Sequence, residues 1–113
     1  YKPVHQKHPC TLWAMETRAN YMYAVKLYQA MLQEYTYRYG KNHGAGKHSM
    51  PIYTGAVHIP EGALTPHPQC FSGHDDCKTD ENYPVQAYRA FYKRDKMGFA
   101  RWNRNRKIPD WLI

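Results

Sequence analysis

Nineteen consecutive residues, Tyr21 to Tyr39, contain neither glycine nor proline, and Gly40 ends the run. Apolar side chains recur through it at Tyr21, Ala24, Val25, Tyr28, Met31, Leu32 and Tyr35, and Tyr39 continues the same face. This is the spacing of one stripe on a 3.6-residue helix, not the alternation of a strand. The pattern predicts a helix over Tyr21–Tyr39, capped by Asn20 and closed by Gly40, the residue type that turns left-handed at least cost. In a chain of 113 residues, long enough for one core and not two, such a helix commits its neighbours to covering its stripe.

The flanking segments read as shorter helices and loops. Residues 1–9, with two prolines and two histidines, are extended, and Thr11 caps a short helix with Leu12, Trp13 and Met15 as its apolar positions. Lys41 to Ser49 is a loop rich in Gly, His and Lys, and Met50–Val57 forms a short helix with Pro51 in its first turn. Pro60 to Glu81 is a long irregular loop. Asn82 or Tyr83 followed by Pro84 opens another helix, running to about Lys96, with Val85, Tyr88, Phe91 and Tyr92 as its buried stripe. After Gly98, Phe99–Arg106 is a helical turn or an extended arm, and the apolar end from Ile108 to Ile113 docks back on the core. The expected fold is all-α: a single domain spanning 1–113, with three to four helices and one long irregular loop. Because the chain begins at Tyr1 without Met, it reads as the C-terminal part of a longer protein.

Charge narrows the function further. The formal net charge is +7, and the stretch Gln86–Lys107 accounts for all of it. Arg89, Lys93, Arg94, Lys96, Arg101, Arg104, Arg106 and Lys107 stand there against the single acid Asp95, while the other 91 residues hold eight basic and eight acidic side chains. A cationic excess gathered in one fifth of the chain is a directed field suited to phosphates. No apolar run reaches 18 residues, so no membrane partner is expected. The three cysteines, Cys10, Cys70 and Cys77, are too few and too scattered for a disulfide scaffold and read as reduced thiols. Cys70-x3-His74-x2-Cys77, with His67 nearby, has zinc-ligand residue types but irregular spacing and no second cysteine pair, so neither metal nor other cofactor is expected. Asp75, Asp76, Asp80 and Glu81 read as a solvated acidic loop, and without a nucleophile motif the catalytic residues remain unassigned.

Two constellations suit nucleic acid or a nucleotide. The first is Glu34-Tyr35-Thr36-Tyr37-Arg38-Tyr39-Gly40-Lys41-Asn42-His43, where Tyr37, Arg38, Lys41 and His43 make a cationic, aromatic rim extended by Lys47 and His48. The same cations also suit the negative end of a helix dipole. Gly44-Ala45-Gly46-Lys47 is not a phosphate loop: measured from Gly40 the spacing is one residue too long, and His48 stands where Ser or Thr would hold magnesium, so a flexible turn is expected. The second constellation is Arg101-Trp102-x-Arg104-x-Arg106-Lys107, which interleaves an indole with four cations, although Trp102 also suits the core. Phosphate contacts are assigned to Arg38, Lys41, Arg89, Lys93, Arg101 and Arg104, and stacking to Tyr37 or Trp102. The alternative partner of this basic face is an acidic protein surface.

A resemblance runs along most of the chain. His8-Pro9-Cys10-Thr11-x-Trp13, Asn20-Tyr21, the Glu34–His43 block, Gly62-x-Leu64-Thr65-Pro66, Ala87-Tyr88-Arg89-Ala90-Phe91-Tyr92 and Ile108-Pro109-Asp110-Trp111 resemble small uncharacterised proteins of tailed bacteriophages. That resemblance implies a viral protein acting in the host cytoplasm or carried in the virion, with a further segment before Tyr1. A fainter similarity connects the His-Pro start, the Arg/Tyr/Gly helix end and the basic aromatic C-terminus to pyrimidine-dimer DNA glycosylases. It implies action on DNA bases. Tyr1 departs from that family's small N-terminal residue and no residue here matches its catalytic glutamate, so its nucleophile and acid would lie upstream.

Overall fold

The structure is a computed structural model that describes residues 3–71, 75–78 and 83–112. The chain is all-α. Helices α1 (Pro9–Glu16), α2 (Arg18–Tyr39), α3 (Ser49–Thr54) and α4 (Pro84–Asp95) are linked by 3₁₀ turns and extended segments, with no strand among the described residues. Two compact units divide it, Tyr1–Thr65 and Pro66–Ile113. His74, Asp80, Glu81, Asn82 and Ile113, singled out in the sequence, lie outside the described residues.

In the first unit α2 begins three residues earlier than the sequence predicts. Thr17, extended at φ −136° and ψ 154°, is the cap, and its hydroxyl oxygen accepts the Asn20 N–H at 3.1 Å. Asn20 is thereby the third helical residue and its amide turns inward. α1 is likewise capped by His8 rather than Thr11: the imidazole Nδ1 accepts the Cys10 N–H at 3.1 Å, and Pro9 takes the first helical position, where no N–H is needed. Gly40 closes α2 as predicted, at φ 68° with its N–H on the Thr36 carbonyl at 2.9 Å.

The buried face of α2 is narrower than the sequence stripe. Val25 is 3% exposed and Tyr21, Ala24, Tyr28, Leu32 and Tyr35 are half-buried. Met31, in contrast, is 65% exposed, and Tyr39 is exposed as well. Successive helical residues turn by about 100°, so Met31 lies well around the axis from Leu32. It joins Tyr23 and Leu27 in a second apolar row that faces solvent.

What fixes the corner between α1 and α2 is polar. The fully buried Asn20 amide donates to the Trp13 carbonyl at 3.0 Å and to the Thr65 hydroxyl at 2.9 Å, and its oxygen accepts the Thr65 N–H at 2.9 Å. Trp13 Nε1–H donates to the Thr65 carbonyl at 3.0 Å, and the Thr17 hydroxyl to the Ala63 carbonyl at 3.0 Å. Arg18 extends the clamp: its backbone N–H meets the Pro60 carbonyl at 2.7 Å, and its guanidinium reaches the carbonyls of Ala56 and Ile59 and the Glu61 carboxylate at 3.1–3.2 Å. The segment from Ile59 to Thr65, without regular structure, is thus held by hydrogen bonds to Trp13, Thr17, Arg18 and Asn20. Gly62 is required by the close approach, since a Cβ there would sit 2.8 Å from Thr17 Cγ2.

Tyrosines of α2 hold the segment beyond its end. Tyr21 donates to the Ile52 carbonyl, and Tyr28 to the Ala45 carbonyl at 2.5 Å, with Ser49 Oγ at 3.2 Å. Gly44–His48, read from sequence as a flexible turn, is instead a 3₁₀ turn capped by His43, whose Nδ1 accepts the Ala45 N–H at 3.0 Å.

The second unit is built on α4, where Phe71, Cys77 and Ala87 form the core with Tyr88 and Phe91 packed against them. The Phe71 and Phe91 rings stack at 4.9 Å, and Tyr88 meets Phe71 edge-on at 5.0 Å. The Tyr88 hydroxyl donates to the Pro68 carbonyl at 3.0 Å and accepts the Cys70 N–H at 2.8 Å. Val85 and Tyr92, placed in the buried stripe by the sequence, are each 47% exposed, because Pro84, Ala87, Tyr88 and Phe91 already complete the inward face. The 3₁₀ turn Asp110–Leu112 docks on α4, and the Arg89 guanidinium lies over the Trp111 ring at 5.3 Å.

Candidate nucleic-acid interface

The cationic segment lies on α4 and the residues after it. Some cations hold the unit together. Arg94 binds the Asp76 carboxylate and approaches Cys77 Sγ at 3.7 Å, with Asp95 at 4.0 Å. The hydrogen bond to Cys77, then the charge of Asp76, raises its pKa above the ordinary arginine value. Lys107 faces Asp110 at 3.4 Å. Arg89 covers Trp111, and Lys96 lies over the rings of Phe91 and Phe99 at 5.0 and 5.5 Å.

Lys93, Arg101, Arg104 and Arg106 are exposed, as are Arg89, Arg94 and Lys107. The Arg101 guanidinium donates to the Ala100 carbonyl at 2.9 Å. Arg104 and Asn105 adopt left-handed backbone, with φ 58° and 62°. Asparagine tolerates that region, whereas an arginine there costs about 1–2 kcal/mol. Trp102 is half-buried. The exposed rings of this segment are Phe99, 65% exposed, and Tyr92. The sequence pattern places Tyr92 in the buried stripe of α4 and Phe99 at the start of a helical turn or extended arm, and gives neither ring a binding role.

The other predicted residues belong to the first unit, at the end of α2. Arg38 is half-buried and paired with Glu34 at 2.6 Å, a helical i, i+4 pair. Tyr37 and Lys41 are exposed. Tyr35 packs against Tyr39 at 4.8 Å and meets the His43 ring edge-on, also at 4.8 Å. Beside them opens a cleft of about 480 Å³ lined by Leu32, Thr36, Asn42, His43, Gly44, Gly46 and Lys47. The structure therefore gathers Tyr37, Arg38, Lys41 and His43 around one helix end, and Arg89, Lys93, Arg101, Trp102 and Arg104 on and after α4.

No disulfide joins Cys10, Cys70 and Cys77; Cys70 is exposed and Cys77 buried. No helix among the described residues is long and apolar enough to cross a membrane. No family model, curated protein or solved structure matches the chain.

Proposed function

We propose that this protein binds nucleic acid through the Gln86–Lys107 segment, with single strands preferred over duplex. The observation that carries the reading is the mixture at that surface: exposed cations at Lys93, Arg101, Arg104 and Arg106 share a short stretch of chain with the exposed rings of Tyr92 and Phe99. Cations neutralise phosphates and aromatic faces stack bases, and unpaired bases are the ones available for stacking. The left-handed Arg104 supports the same reading, because backbone held in a costly region tends to occur where a side chain must be aimed. The resemblance to tailed-phage proteins supports a viral origin and action in the host cytoplasm. The similarity to base-excision enzymes extends the reading to base chemistry, for which no residue of 1–113 is assigned a role.

The test is a titration of the protein against a labelled single strand and the matching duplex at two salt concentrations. Saturable binding that weakens steeply with salt and is tighter for the single strand is the expected result. Undetectable binding at low salt would transfer the basic face to an acidic protein partner.

A further inference from the structure

The cleft at the end of α2 has Asn42, His43 and Lys47 in its lining, and the first two are positioned by hydrogen bonds of their own. His43 Nδ1 accepts the Ala45 N–H at 3.0 Å, which leaves Nε2 as the ring nitrogen able to donate to a ligand. The ring is braced edge-on by Tyr35 at 4.8 Å. Asn42 Oδ1 accepts the Thr36 hydroxyl at 3.3 Å, which leaves the amide nitrogen as a donor. Lys47 lines the same cleft, and Lys41 lies one residue before Asn42.

The electrostatic balance favours a negative ligand. No acid lines the cleft. Glu34, the one acid of α2, is two positions from both Leu32 and Thr36, hence on the far side of the helix, and it is paired with Arg38. The C-terminus of α2 contributes about half a negative charge. Lys41 and Lys47 bring two cations to the same end of the helix. Leu32 supplies an apolar wall, and a volume of about 480 Å³ falls within the usual range for small-molecule sites.

We propose that this cleft binds a phosphate monoester of about nucleotide size, its phosphate held by Lys47, the His43 Nε2–H and the Asn42 amide, and its organic part against Leu32. The backbone amides of the Gly44–His48 turn are not the phosphate cradle. The N–H groups of Ala45 and Gly46 are already spent on His43. The site is independent of the cationic segment that follows α4.

Calorimetric titration of the full chain with 5′-AMP, adenosine and inorganic phosphate tests this. AMP is expected to saturate one site, adenosine to bind at least tenfold more weakly, and inorganic phosphate to compete with AMP at higher concentration. Lys47→Gln should weaken AMP about tenfold. Gly46→Leu should abolish binding by filling the cleft, because a Cβ at Gly46 already meets the Leu32 side chain at 3.9 Å. His43→Asn retains a capping side chain while removing the Nε2–H donor, so it tests the donor in a folded protein even if Gly46→Leu fails to fold, and should weaken AMP several-fold. Gln at Arg101, Arg104 and Arg106 should leave AMP affinity unchanged while weakening oligonucleotides. No saturable AMP binding, adenosine equal to AMP, wild-type affinity in both Lys47→Gln and His43→Asn, or loss of AMP binding in the triple variant would each overturn the proposal.

Discussion

Replacing Asn20 with Ala removes a side chain that is fully buried and makes three hydrogen bonds at 2.9–3.0 Å. Two of its partners are backbone groups, the Trp13 carbonyl and the Thr65 N–H, and the third is the Thr65 hydroxyl. A buried polar group left without a partner costs about 1–3 kcal/mol. With two backbone groups orphaned, the expected loss is about 2–6 kcal/mol, a large share of the roughly 5–15 kcal/mol that stabilises an ordinary domain. The hydroxyl adds less, because it can rotate to another acceptor. The assay is urea denaturation followed by far-UV circular dichroism, together with amide exchange at Thr65. Gln33→Ala, at an exposed position of the same helix, is the control and should stay within about 0.5 kcal/mol of wild type. If Asn20→Ala lost less than about 1 kcal/mol and Thr65 kept its exchange protection, the polar clamp would not be what holds the extended segment to α1 and α2.

The revised face of α2 predicts that Val25→Asp unfolds the first unit, whereas Met31→Asp, on the solvent row, changes its melting temperature little; the reverse order would restore the sequence stripe. Gly62→Ala should cost about 1–3 kcal/mol through its clash with the Thr17 methyl, and Thr17→Ser, which deletes that methyl, should recover much of the loss in the double variant. Arg104→Gly should raise stability by about 1 kcal/mol by removing the left-handed penalty while weakening oligonucleotide binding; falling stability and unchanged binding would show that Arg104 is a structural residue.

The helices were legible in the sequence where local chemistry decides them. Gly40 and Pro84 mark ends of α2 and α4 that follow from the backbone preferences of glycine and proline alone. The caps were less so. Thr17 and Asn20 are both good capping residues, and what separates them is that Asn20 is needed by Thr65, 45 residues away. No local pattern carries that information. Met31 and Tyr92 failed for a related reason. Apolar residues occupy more than one face of α2 and of α4, so periodicity allows several rotations and only packing selects one. Trp13, Asn20, Gly62 and Thr65 converge in one network and act on architecture, whereas the basic surface was visible as charge alone. Its exposed rings could not be read from composition, because an aromatic residue beside a helix is as often covered as open.

The salt dependence of single-strand binding in the Arg101→Gln, Arg104→Gln, Arg106→Gln variant tests the central claim most directly. Gln keeps a long polar side chain and deletes three of the charges that make up the +7 of Gln86–Lys107. Each phosphate contact contributes roughly 0.7 to the logarithmic salt slope for a single strand and about 0.9 for a duplex. If all three arginines meet phosphates, the slope should fall by about two units on a single strand and nearly three on a duplex, with all sequences weakened together. A variant with the wild-type slope and affinity at both salt concentrations would contradict the assignment of nucleic-acid binding to this segment.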